Sequence, residues 1–513
     1  MHTENTAPVK NSIGRLIFVG ISVLIQLIWM VMLAIRLNEY SMRLSLLSSI
    51  LALLLVFRIY GMHTNSAFKM PWIMLILISP VMGVCLYVLL GRAGLSAKMR
   101  KRFEEIDRTL TGKLIYRDSL MEELEAQDLA IANQVRYLQQ FGRFPVCKNT
   151  DITFYAEAED GLHAQIQALR KAEHFIFMEY HAIEDARAFH AIKTILKEKA
   201  ASGVDVRILY DEVGSVGFIN KTFIRNMEAD GIRCRVFNPL VPVLNVFMNN
   251  RDHRKIMVID GKTGFTGGYN LADEYFNLTH PYGQWKDTGI RLTGDGVRSL
   301  TLLFLEMWNV MKASDTDYAP YLPDFPYQAK ETGFVLPYAD SPLDNEPVGE
   351  NVYMNIIKNA KRYVYFTTPY LIISDEMNRE LGLAARRGVD VRIITPGIPD
   401  KKMVFRVTRS YYAGLVSQGV RIYEYTPGFL HAKQCVCDDE VATVGTIKLD
   451  YRSLYLHFEN GVYLYRCSAI ADIKQDFDHT FPVCREVTEQ YKNGRSAMLR
   501  ISQCFMRLFS PLM

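Results

Sequence analysis

The chain has 513 residues, enough for two or three domains, each with its own core. Its net charge of +4 lacks the basic excess of a dedicated nucleic-acid binder, so no nucleic-acid partner is expected. Eight cysteines at irregular spacings, with no CxxC pair and no Cys/His set of zinc spacing, argue against a disulfide scaffold or a structural zinc site and read as reduced thiols in the cytosol.

The N-terminal end is apolar. Leu16 to Ile35, interrupted only by Gln26, matches the ~20 residues needed to cross a ~30 Å hydrocarbon core, and Met70 to Leu90 is a second such run. Between them Leu44 to Phe57 is apolar but short, and reads as a third crossing, as a tilted or interfacial segment, or as a helix packed on the others. The cations Arg92, Lys98, Arg100, Lys101 and Arg102 follow, and the positive-inside rule places them and the rest of the chain in the cytosol. No small-x-small cleavage site follows the first run, so residues 1–95 are expected to be retained as an anchor of two or three transmembrane helices. From Ala97 to about Gln140 the pattern is charged and helical, a juxtamembrane connector over residues 96–144 whose basic start is either a lipid contact or a solvated face.

From about Pro145 short β-rich runs alternate with amphipathic helical ones, as in "HFIFMEYHAI", "AFHAIKTILKEKAASG" and "VDVRILYDEVGS". That order implies α/β layering around a mostly parallel sheet. The order then recurs. "GVDVRI" occurs at Gly203 and again at Gly388; "AEHFIFMEY" from Ala172 pairs with "AKRYVYFTT" from Ala360, and "DGIRCRVFNP" from Asp230 with "QGVRIYEYTP" from Gln418. A whole domain is duplicated, over 145–330 and 331–491, with a linker inside the Pro-, Asp- and Tyr-rich stretch from Ser314 to Asn345. Two such halves are expected to pack about a pseudo-twofold axis. Residues 492–513 form an amphipathic tail, with Arg495, Arg500 and Arg507 among apolar residues, suited equally to a membrane interface and to packing on the catalytic part.

The chemistry sits in "DHRKIMVIDGKTGFTGGYN" from Asp252, where a histidine and a lysine precede an apolar strand. Side chains alternate along a strand, so His253 and Lys255 share a face. A buried ammonium is expensive without a counter-charge, which implies an incoming anion. The second copy reads "HAKQCVCDDEVATVGTIKLDYRSL" from His431, so His431, Lys433 and Asp438 repeat the spacing of His253, Lys255 and Asp260. Two histidines and two lysines converging on one phosphate would explain the buried cations. Asp260 and Asp438 each end a strand before a turn, and orienting a histidine and bonding the backbone are both open roles. Glu179 and Glu459 are candidates to position the histidines, but a structural pairing suits a carboxylate at a strand end equally well. Cys435 and Cys437 read as packing residues.

The paired HxKxxxxD motifs, with "GGYN" after the first and "GTIKLDYRS" after the second, resemble the phospholipase D superfamily from about Pro145 to Tyr491. Within it the likeness is to bacterial cardiolipin synthases, through "WIMLILISPVMGVCLYVLLGR", "VRILYDEVGS", "GGYNLADEY", "DYRSLYLHFENG" and "RLFSPLM". The resemblance implies two homologous α/β/α domains and a phosphatidyl transfer between two phosphatidylglycerols, giving cardiolipin and glycerol at the cytoplasmic face of a bacterial inner or plasma membrane. It implies His253 as nucleophile through a phosphohistidine, and His431 as acid and base. Lys255 and Lys433 would neutralise the phosphate, and Asn270 would donate to it. The expected partners are phosphatidylglycerol and membrane lipid, and a homo-oligomer is allowed. No metal or cofactor is expected, and no P-loop GxxxxGK[ST] is present. The family usually carries asparagine where this chain has Lys448, the counterpart of Asn270. That lysine is expected on the phosphate, with a weakened, lipid-binding homologue as one alternative and another membrane phosphatidyltransferase or phospholipase D as a second.

Overall fold

The computed structural model describes residues 42–91, 97–219, 222–239, 249–312, 314–315, 317–344, 346–492, 506–508 and 510, with scattered positions between 17 and 32. Seven strands of the first half, β1 (Thr150–Tyr155), β2 (Phe175–Tyr180), β3 (Asp205–Asp211), β4 (Arg233–Phe237), β5 (Lys255–Ile259), β6 (Thr263–Gly267) and β7 (Gly289–Gly294), pair in the order β1-β7-β6-β5-β2-β3-β4. The second half supplies β8 (Phe334–Asp340), β9 (Tyr363–Thr367), β10 (Asp390–Pro396), β11 (Arg421–Tyr425), β12 (Gln434–Cys437), β13 (Val441–Gly445), β14 (His457–Tyr465) and β15 (Cys484–Glu486), in the order β8-β14-β13-β12-β9-β10-β11-β15. Each strand of the first sheet thus has a counterpart seven places later, and β15 is an addition.

The sheets are mixed, not mostly parallel. Only the β2-β3-β4 and β9-β10-β11 neighbours run parallel, where helices cross over between them. The HxK residues lie at or just ahead of β5 and β12, not along them as expected: β5 begins at Lys255 and β12 at Gln434, after His431 and Lys433. These strands turn back at once into β6 and β13, and connections of three residues permit only antiparallel pairing.

Strand alternation divides the core. In β2, Phe175 and Phe177 enter a cluster shared by both halves, while Ile176 and Met178 enter the outer core of the first half. The shared cluster takes Leu209, Ile256 and Val258 from the first sheet, Val436, Val444 and Leu464 from the second, and Leu300, Phe304 and Trp308 from the helix Val297–Met311. Sheets covered on both faces explain why these strands read as unbroken apolar runs. The repeated "GVDVRI" begins where a helix must stop. Gly203 and Gly388 sit at φ +92 and +93, just past Arg187–Ala201 and Asp375–Arg386, and an added Cβ would meet nothing at either position. Backbone handedness, not space, demands glycine there.

The connector forms the helices Ala97–Thr111, Asp118–Gln127 and Leu129–Gln140, and Phe103, Leu110, Leu124 and Val135 anchor them on the two halves. Ahead of them lie Met42–Tyr60, Ser66–Ile78 and Pro80–Leu90. The 70–90 run is therefore broken at Ser79–Pro80, since proline disfavours helix at the residue before it. At 1.5 Å per residue the 13-residue piece spans only ~20 Å. No helix among the described residues is long and apolar enough to cross a membrane, and the 16–35 run is described only in part, so its expected crossing lies outside the described residues. Most of the tail is also outside them. Its described residues pack on the second half, with Met506 against the core and Arg507 4.3 Å from the Tyr411 ring.

Asp260 and Asp438 take the backbone-bonding role. Each has positive φ in the tight turn, and the Asp260 carboxylate accepts from the N–H groups of Glu173, His174 and Phe175 at 2.7–2.9 Å. Asp438 does the same for Lys361, Arg362 and Tyr363. Six residues of chain, five of them in β5, separate Asp260 from His253. Replacing Asp260 with alanine leaves three N–H donors unmatched, that of Phe175 buried, and is expected to cost about 1–3 kcal/mol, read as a lower denaturation midpoint. An unchanged midpoint would remove this role.

Candidate active site

Two short strands cross between the halves and place the histidines. Arg251–Asp252, just before His253, pairs in parallel with the start of β14, setting Arg251 beside His457 and Asp252 beside Phe458. In the mirror arrangement Gly428–Leu430, just before His431, pairs with Gln284–Lys286, which sets Leu430 beside Lys286. The next residue on each partner strand is an acid. Glu459 Oε2 therefore lies 2.9 Å from His253 Nδ1, and Asp287 Oδ2 lies 2.6 Å from His431 Nδ1. Each imidazole is held by a carboxylate from the other half. With Nδ1 facing an acceptor, the ring keeps its proton there and presents Nε2 as a lone pair.

The carboxylates are themselves fixed. Ser453 donates to Glu459 Oε1 at 2.6 Å, and the Thr288 backbone N–H donates to Asp287 Oδ1 at 3.0 Å. The "GG" of "GGYN" follows from this packing, since a Cβ on Gly268 would sit 1.9 Å from Asp287 Oδ1. Lys433 reaches across the junction, with Nζ 3.3 Å from the Gly268 carbonyl and 3.8 Å from Asp287. Lys255 Nζ donates to the His253 carbonyl at 2.7 Å. Asn270 is tied into the wall: its Oδ1 accepts from Ala182 N–H at 3.1 Å and its Nδ2 donates to the Tyr275 hydroxyl at 2.8 Å. Lys448 is buried, with Nζ 3.8 Å from Asp450 and 5.8 Å from the Tyr370 ring centre.

Burial and mutual repulsion shape the charges. Burial and the Lys433 ammonium hold His431 down at about 3, against the pull of Asp287. His253 is likewise pushed well below the ordinary histidine range by burial, then by Lys255 and Lys448. Burial lowers Lys255 to about 7 and raises Glu459 to about 7. Lys448 acts on Lys255, Lys433, His253 and Glu459, so its charge belongs to the same cluster. The arrangement supplies imidazoles held toward their neutral form beside several lysines, a setting suited to an anion.

Two further imidazoles border His253. His181 stands with ring centres 4.8 Å apart and His457 with 5.4 Å. Neither was singled out in the sequence, and neither was Asp287. The available signal was the match of "WKDTGI" to "HFENGV", which the duplication aligns. Glu179 instead pairs with Arg254 at 3.0 Å and touches no catalytic histidine. Cys435 and Cys437 are core residues.

Comparison with known proteins identifies the family. The family model "Cardiolipin synthase, PLD-like domain" matches residues 165–284 and 353–481, and "Phospholipase_D-nuclease N-terminal" matches 50–92. An uncharacterized protein of Streptococcus mutans serotype c is 40% identical over 442 residues, 86% of this chain and 96% of that protein. Cardiolipin synthases of Halalkalibacterium halodurans and Alkalihalophilus pseudofirmus are 34% and 32% identical, each over 86% of this chain and 88% of their own length. The crystal structure of phosphatidylserine synthase from Haemophilus influenzae shares the fold, with TM-score 0.57 at 13% identity over 74% of this chain and 100% of that one. The chain belongs to the cardiolipin synthase family of phospholipase D-like proteins.

Proposed function

We propose that the protein is a cardiolipin synthase that transfers a phosphatidyl group from one phosphatidylglycerol to the free hydroxyl of another. The observation that carries this reading is the reciprocal pairing of His253 with Glu459 and His431 with Asp287, set among Lys255, Lys433 and Lys448. His253 Nε2 attacks phosphorus, and the bond from phosphorus to the glycerol oxygen breaks. His431 gives that oxygen its proton. The acceptor hydroxyl then returns a proton to His431 while its oxygen displaces His253 from phosphorus, so one phosphodiester is exchanged for another with no net energy input.

Glu459 keeps the His253 proton on Nδ1 and stabilises the cation that forms as the bond to phosphorus develops. An arriving phosphodiester neutralises the lysines that hold His431 down, and Asp287 then supports the imidazolium. The lysines stay on the non-bridging oxygens through the transition state, with the second amide hydrogen of Asn270 directed to the same group.

The halves, 145–330 and 331–491, are related by a pseudo-twofold axis running between the two crossing strand pairs. Residues 1–95 form the anchor, 96–144 the connector and 492–513 the tail. Leu46, Leu47, Leu54, Phe57, Leu77 and Ile78 are exposed on the N-terminal helices, a face suited to lipid. The same hairpin abuts the catalytic part, since Phe68 packs edge-on against Tyr451 and Tyr455, in the helix between Lys448 and Glu459. That contact supports delivery of lipid from the cytoplasmic leaflet.

Incubating the full chain in phosphatidylglycerol vesicles with EDTA and no nucleotide is expected to yield cardiolipin and glycerol in equal amounts by mass spectrometry. Phosphatidic acid would indicate hydrolysis, and no product would overturn the reading. The pH profile has a definite sign. Glu459, near 7, must be ionised, so kcat/KM falls as pH drops below that value; Lys255, near 7, must be protonated, so it falls again above it. The expected profile is a narrow bell centred near 7, and a flat profile from pH 5 to 9 would contradict it. Glu459→Gln should lower kcat by about 10²–10⁴-fold. Lys448→Asn should raise KM for phosphatidylglycerol about tenfold, the loss of one charge-assisted contact; unchanged kcat and KM would remove Lys448 from the phosphate site.

A further inference from the structure

His457 has no task in the mechanism above, yet it is placed as if for a ligand. It is 94% buried, and neither ring nitrogen has a hydrogen-bond partner among the described residues. An unmatched buried imidazole costs about 1–3 kcal/mol. Its closest polar neighbour is Glu459, with Nδ1 3.5 Å from Oε1, too poorly aligned for a hydrogen bond. The same carboxylate holds His253 Nδ1 at 2.9 Å through its other oxygen. His253, His457 and Glu459 present one ligand atom each, all within 4.8 Å of one another.

These separations suit a small ion. Glu459 Oε2 lies 2.9 Å from His253 Nδ1, Glu459 Oε1 lies 3.5 Å from His457 Nδ1, and the three ligand atoms all fall within 4.8 Å; a tetrahedral site with bonds of about 2.0 Å needs about 3.3 Å between ligand atoms, which small side-chain rotations supply. Two imidazoles and one carboxylate select a borderline transition metal such as Zn²⁺ over Mg²⁺ or Ca²⁺, which prefer oxygen. Three protein ligands leave the fourth position to water. Glu459 supplies the counter-charge, while nearby Lys255 and Lys448 oppose a second cation and limit affinity.

We propose that His253, His457 and Glu459 form an inhibitory transition-metal site built over the nucleophile, which takes Zn²⁺ reversibly and silences the enzyme while the ion is bound. A metal on His253 replaces its hydrogen bond to Glu459 and withdraws the electron density needed for attack on phosphorus. His457 is then the residue that makes the nucleophile's pocket sensitive to metal. The inhibitory consequence rests on the reading of His253 as nucleophile; the binding itself does not.

The test uses the full chain in detergent, stripped with chelator, and Co²⁺ and Zn²⁺ salts alone. Wild-type protein is expected to bind one Co²⁺ with the intense visible bands of a tetrahedral nitrogen and oxygen site, displaced by Zn²⁺ and unaffected by excess Mg²⁺. His457→Phe and His457→Gln should weaken this binding at least about tenfold by calorimetry. In vesicles, Zn²⁺ should abolish wild-type turnover, with recovery on adding EDTA, and should leave the two variants largely active. Absence of tetrahedral Co²⁺ bands in the wild type, thiolate charge-transfer bands, or variants that bind as tightly as the wild type would each overturn the proposal. The wild-type spectrum decides even if a variant fails to fold. Because the spectra need no lipid, a chain that makes no cardiolipin but binds Co²⁺ here would refute the synthase reading and its inhibition and leave the metal site standing.

Discussion

The site depends on an exchange: each half supplies the acid that orients the other half's histidine. A short parallel pairing on each side, two residues of Arg251–Asp252 with the start of β14 and three of Gly428–Leu430 with Gln284–Lys286, fixes which residue meets which. A one-residue slip would bring His253 opposite a different residue and turn the carboxylate to the other face. The register is held from both sides by apolar neighbours, Phe458 in the shared core and Phe429 and Leu430 on either face of the second strand. The candidate site thus lies at the junction of the halves, and each histidine takes its acid from across it.

The electrostatics follow from that burial. Lys255, Lys433, Lys448, His253 and His431 are withdrawn from water beside the carboxylates of Glu459 and Asp287. Desolvation pulls the lysines and histidines toward their neutral forms and Glu459 toward its acid form, so the empty site sits near the point where small changes in charge matter. An anionic phosphodiester reverses the shifts of Lys255, Lys433 and His431, while as a like charge it leaves Glu459 to be kept ionised by Lys448 and Lys255. Binding energy is in this way coupled to the protonation states that the chemistry requires. The departure at Lys448 fits the same logic: a lysine in place of the usual asparagine adds a full charge where the family pattern has a dipole.

The repeat, the fold class and the four HxK residues were legible because they are local patterns in the chain. The duplicated string "GVDVRI" marked equivalent helix ends, whereas the strand alternation expected for His253 and Lys255 does not hold, because the strand begins only at Lys255. The carboxylate partners were harder to see, because the acid that serves His253 lies 206 residues away and only three-dimensional pairing selects it. Glu459 was noticed but could not be separated from a structural acid, and Glu179, equal to it by sequence, pairs with Arg254 instead. Asp260 and Asp438, included in the motif by spacing, belong to turns, where a left-handed backbone and three donated N–H groups set their role. The expected parallel sheet became mixed because a turn of three residues after the HxK strand leaves no room for a crossover. The expected single run over 70–90 became two helices because Pro80 was weighed less than the hydropathy around it.

The central claim is that His253 and His431 face one phosphorus from opposite sides, each steadied by the other half's acid. A structure of the full chain with orthovanadate tests it most directly. The account predicts vanadium bonded to His253 Nε2, with His431 Nε2 within hydrogen-bond reach of the opposite apical oxygen, and Lys255 and Lys433 on the equatorial oxygens. Vanadate bound to one histidine with the other turned away, or with either carboxylate contact broken, would contradict it.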